Sequence, residues 1–158
     1  MSVLVIYDSR FGNTERVARA IAEELGPASD VRIAKAGDMS PLELDEVDLL
    51  VVGAPTEHHG TPPVVRHLLE GVRPGTLAGV EAVAFDTRLH HEQWRTGSAA
   101  ATIADDLRQL GCELIVPAES FFVEGRGGPL EEPELERARS WARSVATRLR
   151  EAAGEEPS

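Results

Sequence analysis

Short apolar runs alternate with amphipathic segments of helical period along this chain, and that alternation limits its fold more than any other feature. Val3-Leu4-Val5-Ile6-Tyr7 is the first run, and residues 47–53 form another in which Asp48 is the only charge. Residues 80–85 and 113–116 follow, the latter resuming at residues 121–123 after an interruption at Pro117. Runs this continuous read as strands covered by helices on both faces. Val31-Arg32-Ile33-Ala34 alternates instead and reads as a half-exposed strand, followed by an irregular or briefly helical stretch to Asp45. Between the strands, Val17, Ala18, Ile21 and Leu25 fall at helical spacing among charged residues and stop at Gly26-Pro27. A second helix carries Val64, Val65, Leu68, Leu69 and Val72, with Pro62 expected at its first position. A third spans residues 98–110 and ends at Gly111. The last is expected over residues 131–150, with Leu135, Ala138, Ala142, Val145 and Leu149 toward the sheet. Glutamates crowd its start and arginines its end, the order that complements a helix dipole. Five strands in alternation with helices predict an α/β three-layer sandwich around a five-stranded parallel sheet, because right-handed crossovers place helices on both faces.

At 158 residues and 42% hydrophobic content the chain fits a single domain, residues 1–153, with a flexible tail at 154–158. Its 16 basic and 27 acidic side chains give a formal charge of −11, which argues against nucleic-acid binding and suits partners with a basic docking face. The N-terminus lacks the regions of a signal peptide, and no apolar run is long enough to span a bilayer. The lone cysteine, Cys112, excludes an internal disulfide framework, is expected to be buried and inert, and fits a reducing cytoplasm.

In open α/β sheets ligands bind beyond the carboxyl ends of the strands. The longest polar strand exits are residues 8–14, 54–62 and 86–97. The first joins a strand directly to a helix start, where unpaired N–H groups and about half a positive charge favour an anion such as phosphate. Ser9, Asn13 and Thr14 offer side-chain donors, and Gly12 allows close backbone approach. A locally capped turn would use the same residue types, so context has to decide between the two. No GxxxxGK[ST] or GxGxxG motif follows the first strand. Gly53-Ala54-Pro55 stands where a receiver domain would carry its phosphorylated Asp, and Ser9 stands where a Cys-dependent phosphatase would carry its nucleophile.

Tyr7-Asp8-Ser9-Arg10-Phe11-Gly12-Asn13-Thr14-Glu15, then Val52-Gly53-Ala54-Pro55-Thr56 with Gly60 following, then Phe85-Asp86-Thr87 and Gly97-Ser98-Ala99-Ala100, resemble the flavodoxin family in order and spacing over nearly the whole chain. The resemblance is to the short-chain type and implies strand order 2-1-3-4-5 with FMN held noncovalently by three loops. Carried over, Ser9, Arg10, Gly12, Asn13 and Thr14 wrap the phosphate. Phe11 replaces a hydroxyl frequent in the family and gives the Ser-basic-aromatic-Gly-Asn-Thr variant of flavodoxin-like oxidoreductases; its ring is expected beneath the loop. Pro55, Thr56, Glu57, His58, His59 and Gly60 in the second loop, and Asp86, Thr87, Arg88, Trp94 and Gly97 in the third, hold the flavin ring. The second loop has no Tyr or Trp, so Trp94 is the expected stacking platform. Trp141 is assigned to packing.

His58-His59 and His90-His91 lie in loops expected to converge. Adjacent histidines rarely aim at one ion unless carboxylates help, and no HxxxH spacing occurs, so they do not suggest a metal; one or two of them are expected at the flavin edge, where a protonated imidazole stabilises the reduced cofactor. Gly60 is open to two roles, a pivot turning its peptide toward the flavin N5 or a turn residue before Thr61. Arg88 and Arg95 flank the third loop, where an acidic substrate or partner could meet them, although single exposed arginines are more often just solvated. The resemblance implies an FMN-binding redox protein, with electron transfer to partner proteins favoured by the acidic composition. A flavin-dependent NAD(P)H or quinone oxidoreductase is the alternative that the variant first loop suggests, and a flavin-free binding module is the one that the missing aromatic pair suggests.

Overall fold

The computed structural model describes residues 1–56, 60–90 and 97–152. Strand β1 (Ser2–Tyr7), buried from Val3 onward, lies between two parallel neighbours, β2 (Asp30–Lys35) and β3 (Leu49–Pro55). On the far side of β3 comes β4 (Glu81–Leu89), and two short parallel segments, β5 (Glu113–Leu114) and β6 (Glu119–Val123), share the outer edge of β4. The order β2-β1-β3-β4-β5, with β6 beside β4, is the expected 2-1-3-4-5 arrangement with its fifth position filled by two segments. Pro117 lies between those segments, and proline has no N–H to give to a ladder.

Each buried strand sends alternate residues to opposite faces. Val3, Val5, Leu49, Val51, Val83 and Phe85 pack with helices α1 (Asn13–Leu25) and α4 (Glu134–Ala152). Leu4, Ile6, Leu50, Val52, Ala82 and Ala84 pack with α2 (Pro63–Glu70) and α3 (Ala99–Gln109). This is the three-layer sandwich. Phe85 meets Phe121 and Trp141 edge-on at centroid distances of 6.1 and 6.3 Å, so Trp141 does pack against the core. A Cβ at Gly53 would fall within the Phe85 ring, so only glycine lets β3 pass this ring. Among the described residues no helix is long and apolar enough to cross a membrane.

Among the boundaries that differ from the sequence expectation are those of α2, α4 and β4. Helix α2 starts at Pro63, with Pro62 as its N-cap, one residue later than expected. Helix α4 starts at Glu134 rather than near residue 131, because Glu134 is buried and accepts the Phe122 N–H at 2.7 Å while pairing with Arg137. Burial works to raise the Glu134 pKa, but the Arg137 and Phe122 donors outweigh it and hold the carboxylate below its ordinary range. Glu131 stays outside the helix and meets His90 Nδ1 at 3.2 Å. The largest difference is in β4, which runs on to Leu89. Asp86, Thr87 and Arg88, expected in a loop, are strand residues because β3 pairs with Asp86 and Thr87 on one side while β6 pairs with residues 85–89 on the other.

Candidate functional site

The carboxyl ends of β1, β3, β4 and β6 border a cleft of about 330 Å³. Its first wall is the turn from β1 to α1. Gly12 has φ +89° and caps α1 in a left-handed conformation that favours glycine, and an added Cβ there would meet nothing within 4 Å. Ser9 Oγ accepts the Gly12 N–H at 3.1 Å and the Glu15 N–H at 3.3 Å, which fixes the turn and leaves the hydroxyl proton to donate outward. Asn13 and Thr14 occupy the first helical positions, where backbone amides have no intrahelical acceptor.

Two expected ligand donors are partly engaged with the chain itself. Asn13 Nδ2 donates to the Gly127 carbonyl at 3.3 Å, and the Thr14 hydroxyl lies 2.7 Å from that of Thr87 in a buried contact. Only one proton can lie between those two hydroxyls, so the other is available to the cleft. Phe11 does not sit beneath the loop as expected. It is 55% exposed and lines the cleft, since the space below the turn is taken by buried Thr14 and Thr87.

Below the cleft lies a polar hub built on Asp86, which is wholly buried. Its Oδ2 accepts from Thr56 Oγ1 at 3.0 Å, Ser98 Oγ at 2.8 Å and the Ala100 N–H at 3.1 Å. Thr56 Oγ1 accepts in turn from the Ala99 N–H at 3.0 Å, and Ser98 Oγ caps α3 by accepting from Ala101. The start of α3 is thereby tied to the ends of β3 and β4. Asp86 Oδ1 is buried without a hydrogen-bond partner among the described residues, with Arg88 Nε 4.0 Å away. Burial pushes the Asp86 pKa up, opposed by the bonds from Ala100, Ser98 and Thr56.

The structure brings Ser9, Arg10, Phe11, Asn13, Thr14, Pro55, Thr56, Thr87 and Arg88 to the cleft. Asp86 lies beneath it, out of reach of a ligand. Arg88 donates from Nε to Ser120 Oγ at 3.0 Å and sits over the Phe122 ring, so it is packed into the sheet edge as well as lining the cleft. His90 stacks on the same Phe122 ring, with the two centroids 4.1 Å apart. Gly97 has φ +71°. Gly60 has open space where a Cβ would stand and is not in a left-handed conformation, so neither crowding nor backbone strain demands glycine there. Glu57, His58, His59, His91, Trp94 and Arg95 lie outside the described residues. Cys112 is buried, and burial pushes its thiol up to about 11, which keeps it in the unreactive protonated form.

Sequence reasoning missed Leu89, Val123 and Arg126, which also line the cleft. Leu89 and Val123 are neighbours across β4 and β6, a register no local pattern reveals. Arg126 belongs to a turn after β6 whose signal was Gly125-Arg126-Gly127-Gly128, three glycines around one long cation.

The cleft residues suit a flavin phosphate. The donors cluster at the helix start, Gly12 leaves open space over the turn, and Pro55, Leu89 and Val123 offer apolar surface for the rest of such a ligand. A family model described as Flavodoxin matches residues 5–141. The oxidised flavodoxin 2 from Bacillus cereus superposes with a TM-score of 0.80 at 23% identity, over 93% of this chain and 99% of that one. A flavodoxin from the domain Archaea gives 0.76 at 20% identity, over 95% and 99%. Rubredoxin oxygen:oxidoreductase from Desulfovibrio gigas gives 0.74 at 21%, over 95% of this chain and 36% of that one. No curated protein matches the chain. At these identities the solved structures speak for the fold, and the family model speaks for membership.

Proposed function

Since the chain belongs to the flavodoxin family, we propose that it is a cytoplasmic redox protein that holds FMN noncovalently in this cleft and exchanges electrons with partner proteins. The observation that carries this reading is the turn from Ser9 to Thr14, where an outward hydroxyl, unpaired helix amides and a Cβ-free Gly12 converge on one open space. Bound FMN would supply a ring that accepts and returns electrons. The chain's own residues do the holding. Ser9 and the Asn13 and Thr14 amides bind the phosphate, and Pro55, Thr56, Thr87 and Leu89 line the wall beside the rest of the ligand. Glu57, His58, His59, Gly60 and Trp94 are proposed as ring-side neighbours, with Trp94 the stacking partner and a protonated His stabilising negative charge on the reduced ring.

The surplus of acidic residues, net −11, raises the cost of placing negative charge on the flavin and suits a low-potential carrier that docks on basic partner surfaces. Reconstitution of the purified chain with FMN tests the reading. The expected result is a yellow protein whose visible flavin absorption survives desalting; a colourless product would leave only a flavin-free binding module. If the protein is yellow, sustained consumption of NAD(P)H in the presence of a quinone would make it an oxidoreductase, and its absence is expected of a carrier.

A further inference from the structure

Resting on that reading for the rest of the ligand, we propose that Arg126 is a phosphate-recognition residue, clamping the terminal phosphate monoester from the side opposite the Ser9–Thr14 turn and making the cleft selective for a phosphorylated flavin. The turn that carries Arg126 is built against the anion loop. It is closed by the Val123–Leu130 bridge, by the Glu124 N–H on the Pro129 carbonyl at 2.9 Å and by the Gly128 N–H on the Gly125 carbonyl at 2.9 Å. Its Gly127 carbonyl accepts from Asn13, a residue at the very start of α1. Gly128 has φ +95°, and a Cβ there would stand 2.5 Å from Asn13 Nδ2, so the close approach of the two segments depends on glycine. A Cβ on Gly127 would reach the Phe11 ring at 4.0 Å. Gly128 thus lets the backbone of the turn lie on the loop, and Arg126, the one long side chain among these glycines, lines the same cleft as Ser9, Asn13 and Thr14.

The charge of Arg126 is unspent. Arg19, Arg32, Arg108, Arg137, Arg139 and Arg143 each hold a carboxylate within 4.0 Å. In a chain with 27 acidic residues, exposed Arg126 has no hydrogen-bond or ion-pair partner among the described residues. A guanidinium offers a planar fork of N–H donors that matches phosphate oxygens, and such charge-assisted pairs are about twice as strong as neutral hydrogen bonds. Helix amides alone supply roughly half a charge. A dianionic phosphate approaching a protein of net charge −11 gains from a full local cation.

The test is titration of the full-length apo protein with FMN and with riboflavin, which lacks the phosphate, followed by flavin fluorescence. Arg126→Gln is expected to weaken FMN about tenfold, the equivalent of one good charge-assisted contact, and to leave riboflavin unchanged. Arg126→Lys should recover part of the loss, because a point charge keeps the attraction without the fork. Unchanged FMN affinity in Arg126→Gln, or equal losses for FMN and riboflavin, overturns the proposal. Inorganic phosphate separates this from the flavin reading. If the wild type binds neither flavin but phosphate raises its melting temperature, and Arg126→Gln abolishes that rise, the flavin reading fails and the anion clamp stands. If phosphate raises neither protein's melting temperature and no flavin binds, both fall.

Discussion

The floor and the rim of the cleft are built on opposite principles. In the floor, buried Asp86 accepts from Thr56 and Ser98, and Thr14 pairs with Thr87, so these side chains are held by partners within the chain. At the rim, Phe11 and Arg126 are exposed and are held by the backbone beneath them rather than by side-chain partners. A buried polar group left unpaired costs the full price of its desolvation, whereas an exposed one returns to water. The floor therefore governs whether the strand ends stay in place, and the rim governs what they attract. The rim also departs from the overall composition. Arg10, Arg88 and Arg126 border the cleft of a chain whose net charge is −11, so the local field at the site is more positive than the average surface.

Substitutions can break this contrast, and the largest effect is expected just under the floor. Gly53→Ala forces a methyl into the Phe85 ring and should destabilise the fold by about 3 kcal/mol or more, read from urea unfolding. Asp86→Ala leaves the Thr56, Ser98 and Ala100 donors without their common acceptor and should cost about 2–3 kcal/mol.

Asp86→Asn tests the same hub through pH. Burial raises the folded pKa of Asp86 above that of the unfolded chain, so the native state binds this proton more tightly. The resulting stability is present below the unfolded aspartate pKa and is lost as pH rises through the folded value. Asn stays neutral, so the stability of Asp86→Asn relative to wild type should climb as pH rises from acid toward neutral. Urea midpoints at several pH values measure it, and a flat difference would mean that Asp86 carries no such penalty.

At the joint between floor and rim, Gly128→Ala must displace Asn13 and adopt a positive φ, for about 1–2 kcal/mol together with weaker FMN binding. The rim itself should respond least. Phe11→Ala is expected to change stability by less than about 0.5 kcal/mol, and a larger loss would mean that the ring packs as a core residue after all.

Much of the fold was legible because its signals are local. The apolar runs at residues 3–7 and 47–53 could only be covered strands, and the spacing of Val17, Ile21 and Leu25 could only be a helix face. The Ser9–Thr14 turn was legible for the same reason, since a strand, a glycine and a helix start adjoin in sequence. The end of β4 was not legible. Asp86-Thr87-Arg88 is as polar as a loop, and it became strand only because residues 119–123 pair with it. Burial of Asp86 follows from that pairing and from the arrival of Ser98 and Ala100 at the head of α3.

The sequence by itself determined the order of elements, the parallel sheet and the Ser9–Thr14 turn, because period, capping and backbone freedom act over a few residues. Only the tertiary structure decided that Asp86 is a buried hub, that Phe11 is exposed and that Arg126 lines the same cleft as the first loop. Each of those depends on segments distant in the chain meeting at one sheet edge. The contacts that bring them there, such as Asn13 on Gly127, have no counterpart in any local pattern.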